Sequence, residues 1–227
     1  MKPPLPSRTP TEVLFLASNT LSDVAFKSAQ DSKTTPDSHL IALLFSAAWF
    51  EAVLNELIWD ITQSGHGGEH ANVHQAGQIA IAAGLDEKMA PVRRKLRVLC
   101  AAMTGSDLDH LSAPWRDLFL LFSLRNWIVH LRPEMLPVRP GADDEPSSLV
   151  SSKVHEFVTA LHEAGAIAEI PSGRMVPVTL ATCLPGVGAW AYRTAHKALA
   201  GVHAWFPTIR GRMSALYRDP ALLDGAG

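Results

Sequence analysis

The chain has 227 residues, 47% of them hydrophobic and 19% charged, with a formal net charge of −2. That size and apolar content suit one large folded domain and exclude an intrinsically disordered chain. Near-neutrality excludes broad, non-specific wrapping of nucleic acid, so any such contact has to rest on a local basic patch. The two cysteines, Cys100 and Cys183, lie far apart in apolar surroundings and read as reduced core thiols of a cytoplasmic protein, a single bridge between them being the alternative. The N-terminal Met1-Lys2-Pro3-Pro4-Leu5-Pro6 stretch lacks the apolar centre of a signal peptide.

Helical punctuation runs along the whole chain. Apolar residues at Val13, Leu14, Leu16, Leu21, Val24 and Ala25 predict a helix over about 11–30. Thr35 reads as an N-cap with Pro36 in the first turn, opening a long helix to about residue 62. Its most apolar run, 40–50, is shorter than the about 20 residues a bilayer requires, and reads as a buried helix. Further helices are expected over 71–83, closed by Gly84, and over about 87–103, with Gly105 just beyond. The next begins near Ser112-Ala113-Pro114 and must stop near residue 131, because Pro133 disfavours helical geometry at Arg132.

Residues 133–148 hold four prolines and the acidic Asp143-Asp144-Glu145 run, the pattern of a loop. A helix resumes over about 148–164. Over 166–180, apolar residues flank Pro171-Ser172-Gly173 in the manner of a small β-hairpin. A last helix spans about 188–205, ended by Pro207. The expected architecture is all-α: a lead-in and helix over 1–35, a helical domain over 36–205 and a tail over 206–227.

Chemistry concentrates in Ser123-Leu124-Arg125-Asn126-Trp127-Ile128-Val129-His130. A guanidinium, a carboxamide and an imidazole interrupt an apolar helix, where such groups are costly without partners or a task. On a helix, Asn126 and His130 lie one turn apart on the same face, and Arg125 can swing its fork toward them. Arginine and histidine together can act on a phosphodiester without a metal. The plainer reading pairs Arg125 with Glu51 or another carboxylate in a buried structural bridge and has His130 cap the helix end.

At these residues the sequence resembles the HEPN superfamily (higher eukaryotes and prokaryotes nucleotide-binding domain), whose hallmark is Arg, four to six residues, then His. Here Arg125 and His130 enclose four residues, and Asn126 fills the polar position that usually follows the Arg. The apolar lead-in and the Arg132-Pro133 exit are similar too, and Glu51 matches the acidic residue of an earlier family helix. The resemblance implies a HEPN-like helical bundle that dimerises to bring two motifs together. Active members of the family are metal-independent endoribonucleases, often toxins or phage-defence effectors; no cofactor is implied. Arg125, His130 and Asn126 would be catalytic, Glu51 supporting, and a protein antidote or regulator a further partner. A tyrosine that one subset carries two residues after the motif His is here Arg132, so that subset's control by nucleotidyl transfer does not carry over. The alternative is a silent HEPN-like module that binds RNA, nucleotide or protein.

Three other patterns carry weaker signals. Arg93-Arg94-Lys95-Arg97 is the densest basic cluster, and with Arg132 it is the candidate RNA-binding surface. His66, His70 and His74 recur every four residues around Glu69, but Gly67 and Gly68 break that helix, so no metal site is expected. Gly186-x-Gly188-x-x-Ala191 mimics a dinucleotide-binding turn without the βαβ unit that such a turn needs. The six tryptophans, Trp49, Trp59, Trp115, Trp127, Trp190 and Trp205, read as core or interface anchors.

Overall fold

The fold follows from one helix that is apolar almost all round. In the computed structural model, which describes residues 10–63, 71–85, 90–130, 152–170, 184–206 and 217–223, that helix is α2 (Asp37–Gln63). It buries Leu43, Phe50, Leu54, Leu57 and Ile61 along one face and Ala42, Trp49 and Val53 along the adjoining flank, so neighbours must cover it on more than one side. Around it stand α1 (Pro10–Asp31), α3 (Ala71–Ala82), α5 (Trp115–Val129) and α7 (Val187–Trp205). The remaining helices are α4 (Val92–Thr104), packed on α3, and α6 (Ser152–Glu163), whose Phe157 meets Trp127 of α5 edge to face. A short 3₁₀ turn at Pro220–Leu223 rests on α7. The described residues are thus all-helical and contain no strand. By length and composition α2 would cross a bilayer, a longer apolar stretch than the 40–50 run alone, yet most of it is buried inside the bundle.

Glycine and proline set the boundaries, as their backbone chemistry requires. Gly84 and Gly105 close α3 and α4 with φ of 64° and 71°, a region other residues enter at a cost. The α4 boundary differs from the expected start near residue 87. Ala90 and Pro91 are not helical, and Pro91 is the N-cap, because proline disfavours helical geometry in the residue before it. Likewise α2 begins at Asp37 and α5 at Trp115 behind the Pro114 N-cap, each a little after the predicted start, while the expected start of α6 near 148 lies outside the described residues. Helix α5 ends at Val129, leaving His130 as its C-cap rather than inside the last turn. The 133–148 loop, Pro207 and most of the 166–180 hairpin fall outside the described residues; residues 166–170 are irregular, with bends at Ala166, Ala168 and Glu169.

Two close approaches tie the bundle together. Gly77 on α3 sits so near α2 that a Cβ would run into the Ile61 carbonyl. Gly186, the α7 N-cap with φ 97°, is pressed against the Ala166 carbonyl. The glycine pair at 186 and 188 therefore serves helix packing. At Gly188 an added Cβ would stand 2.9 Å from Ser32 Oγ and 3.1 Å from His39 Nδ1. His39, only 3% exposed, accepts a hydrogen bond from the Gly188 N–H (3.0 Å), and burial lowers its pKa from 6.5. Gly188→Ala is expected to cost roughly 1–3 kcal/mol through overpacking at this seam, read as a fall in thermal midpoint.

Residues on both sides of the expected 36–205 unit join the same core. Ser18 of α1 donates to Glu56 Oε2 of α2 (3.0 Å), and Tyr217 lies edge-on to Trp49 with centroids 5.0 Å apart. Tyr192 of α7 stacks on Trp49 and donates its hydroxyl to the Arg218 carbonyl (2.9 Å).

Candidate functional site

Helix α5 is a core element for most of its length and becomes polar at one end. Trp115, Leu118, Leu121, Leu124 and Ile128 are buried, and Trp115 stacks on Trp205 of α7 while Phe122 meets Phe50 of α2. This apolar stripe holds α5 against the bundle and turns the opposite face outward. On that face Asn126 and His130 are exposed, and Arg125 is half-buried beside them.

The local geometry pairs Arg125 with Asn126 and sets His130 one turn further along, as the helix C-cap. The His130 N–H still donates to the Asn126 carbonyl (3.0 Å), so the backbone follows the helix up to that residue. Asn126 and His130 therefore share a face one turn apart. Arg125 Nη1 donates to Asn126 Oδ1 (2.9 Å), which turns the guanidinium from its own position toward that face. A cationic fork, a carboxamide and an imidazole meet solvent at the helix end. The plainer reading of a buried Arg125–Glu51 ion pair is not what α5 adopts, since Arg125 bonds its neighbour and no Arg125–Glu51 bridge forms among the described residues.

Glu51 instead acts on a different cation. It is half-buried on α2, and its negative charge favours the ammonium of Lys95 on α4. Lys95 Nζ donates to Asn55 Oδ1 (2.6 Å), one turn along α2 from Glu51. Burial is the larger influence on Lys95 and lowers its pKa from 10.5. At 1% exposure Lys95 cannot belong to an RNA-binding face, which corrects the expectation from the basic cluster. The reason is helical phase: Val92, Lys95, Leu96, Leu99 and Cys100 fall at i, i+3, i+4, i+7 and i+8 and form the inward stripe of α4.

The other three members of the cluster do share an exposed face. Arg93, Arg94 and Arg97 line an open depression of about 460 Å³ with Pro91, Val98 and Asp107. Arg93 lies over the Phe119 ring of α5, 4.9 Å from its centre, and Arg94 donates to the Ala83 carbonyl (2.8 Å). Arg97 stands 3.9 Å from Asp107, both largely exposed. Arg132 lies outside the described residues.

Sequence reasoning missed a buried polar seam between α1, α2, α7 and residues 217–223. Its centre is Glu56, 6% exposed, whose carboxyl is pushed up to about 7, chiefly by burial and against the Ser18 hydrogen bond. Tyr217 stands near it and stacks on His203 (6.3 Å, 7° between planes), its phenol held protonated by burial and by the Glu56 charge. Tyr192 is raised to about 12, again mainly by burial, while burial lowers His196 against the pull of Asp219. Glu56, an acidic residue inside a long apolar helix, is the signal the sequence offers of this seam. Its partners come from distant parts of the chain, which no local pattern reveals.

Among the described residues no group of three or more His, Cys, Asp or Glu side chains could hold a metal ion. Of the His66, His70 and His74 series only His74 is described, and it is exposed on α3. Cys100 is a free, buried thiol; Cys183 lies outside the described residues. Trp49, Trp115 and Trp190 are buried and Trp59, Trp127 and Trp205 half-buried. Comparison of the chain with protein-family models, curated proteins and solved structures finds no match in any of the three.

Proposed function

We propose that this chain is a metal-independent endoribonuclease of the HEPN type, a cytoplasmic homodimer acting in toxin–antitoxin or phage-defence biology. The observation that carries the reading is the solvent-open grouping of Arg125, Asn126 and His130 at the end of a helix that is otherwise core. Three polar groups so placed contribute little to folding, and their chemistry matches the handling of a phosphodiester.

In the reaction the imidazole of His130 removes the proton of a ribose 2′-hydroxyl. The 2′-oxygen attacks the adjacent phosphorus, and the bond to the 5′-oxygen breaks. The leaving oxygen takes its proton from a second imidazolium, which a dimer mate's copy of the motif supplies. Arg125 stabilises the charge that develops on the non-bridging phosphorus oxygens. Asn126, already bonded to the Arg125 fork, orients the guanidinium or the phosphate. The products are a 2′,3′-cyclic phosphate and a 5′-hydroxyl.

Purified protein incubated with end-labelled RNA in EDTA tests the reading. Internal cleavage leaving cyclic-phosphate termini is the expected result, and intact RNA after prolonged incubation overturns it. Arg125→Ala is expected to lower the cleavage rate by about 10²–10³. Arg125→Lys should recover only part of it, because an ammonium cannot offer the two-pronged grip of a guanidinium.

A further inference from the structure

The arginine depression on α4 and the motif on α5 are ends of one surface. Phe119, Ser123, Asn126 and His130 fall at i, i+4, i+7 and i+11, which on an α-helix lie within about 60° of one another. They form a single outward stripe about 16 Å long at the helical rise of 1.5 Å per residue. Ser123, Asn126 and His130 are exposed along it, and the Ser123 hydroxyl is folded back onto the Phe119 carbonyl (2.8 Å), leaving the stripe low. At its far end Arg93 lies over the Phe119 ring, so the α4 depression begins where the stripe stops.

The charges in that depression sit where the helix dipole disfavours cations. Arg93 and Arg94 sit in the first turn of α4 and Arg97 in the second, with no acidic residue in the first turn and no side-chain cap on Pro91. Cations there oppose the positive end of the helix dipole. Two are nevertheless held in place, Arg93 by the Phe119 ring and Arg94 by the Ala83 carbonyl, so a ligand meets them already ordered. Among the described residues Asp107 is the one acidic group that lines the depression, and it reaches only Arg97, at 3.9 Å.

We infer that the α4 depression and the outward stripe of α5 form one track for single-stranded RNA, with backbone phosphates gripped by Arg93, Arg94 and Arg97 while the strand runs along α5 to His130. The inference rests on the ribonuclease reading for the identity of its ligand, but its test needs no cleavage. The track gives the site a reach of several nucleotides to one side of the cut, and makes affinity a property of α4 while bond breaking belongs to α5.

The test uses His130→Ala protein and a fluorescent single-stranded RNA of about twelve nucleotides, within the span of single-strand binding sites, with anisotropy read across a salt series. Arg97→Glu combined with Arg93→Gln is expected to weaken binding about tenfold and to flatten the salt dependence by about 0.7 for each phosphate no longer neutralised. Ser123→Glu, a change at an exposed helical position, puts a carboxylate midway along the stripe and should weaken binding to a similar degree. Lys27→Glu, at an exposed position of α1, should change nothing. In the His130-containing protein the same α4 changes should raise KM and leave kcat unaltered.

Undiminished binding by the α4 variants or by Ser123→Glu, or an equal drop in affinity with Lys27→Glu, overturns the track. So does displacement of the RNA by a mononucleotide as effective, phosphate for phosphate, as the strand itself. Thermal midpoints of all variants separate weakened binding from impaired folding. Arginine-dependent binding without cleavage would leave the track standing and remove the ribonuclease. Cleavage with KM indifferent to α4 would do the reverse.

Discussion

His130→Ala is expected to abolish RNA cleavage, lowering kcat by about 10²–10⁴, the range that a positioned acid or base contributes. Thermal stability should stay within about 0.5 kcal/mol of the parent protein, because the side chain is exposed and sits outside the core. The combination matters more than either half. A buried histidine of structural importance would lose stability and activity together, whereas a surface histidine without a task would lose neither. Binding of RNA should persist, since the arginines proposed to grip phosphate lie elsewhere. Cleavage at the parental rate by the alanine variant would remove His130 from the chemistry and with it the HEPN reading. Because the scheme uses two imidazoles from two copies, mixing His130→Ala with parent protein should give heterodimers with cleavage far below half the parental value.

Glu56→Gln is expected to stabilise the protein at alkaline pH and to do little in acid. Glu56 has a folded pKa of about 7 against an ordinary value of 4.5. Between these values the folded chain holds a proton that the unfolded chain has released. Stability from this group is therefore complete below about 4.5, falls as pH rises toward 7, and stays low above it. The difference is at most about 3 kcal/mol by the proton linkage. Glutamine keeps the shape and an acceptor for Ser18 without the charge, so the gain over the parent should appear above pH 7 and vanish near pH 4. His39 and His196 work in the opposite sense. Burial lowers both pKa values, so their contribution is lost as pH falls through the unfolded value of about 6.5. The parental pH profile sums all three, and subtracting the Glu56→Gln profile isolates the carboxyl. Equal stability of the two proteins at pH 8 would show that Glu56 is charged without penalty in the folded state.

The helices are legible because glycine and proline write their ends. Gly84, Gly105 and Gly186 stand where positive φ is needed, and apolar spacing marks the inward faces between them. The errors are equally physical. A helix drawn through Ala90-Pro91 ignores what proline does to its predecessor. Lys95 joins the basic face only if neighbours in sequence are taken to share a surface, whereas its helical phase with Val92, Leu96 and Leu99 puts it inside. The Arg125-Asn126-His130 grouping can be read directly, since all three lie within six residues and a helix fixes their relation. The Glu56 seam cannot, because it draws on α1, α2, α7 and the 217–223 segment, and only tertiary packing brings these together.

Tyr217 also has a practical side. Its ring closes one edge of the Trp49–Tyr192 stack, and the carbonyl that follows it ties down the Tyr192 hydroxyl. A chain trimmed ahead of Tyr217 would bare an indole and strand a phenol, leaving a sticky aromatic window on the shortened product. Shortened forms should therefore clump at concentrations where the intact chain stays dispersed, and boundary choices for expression should keep this aromatic plug.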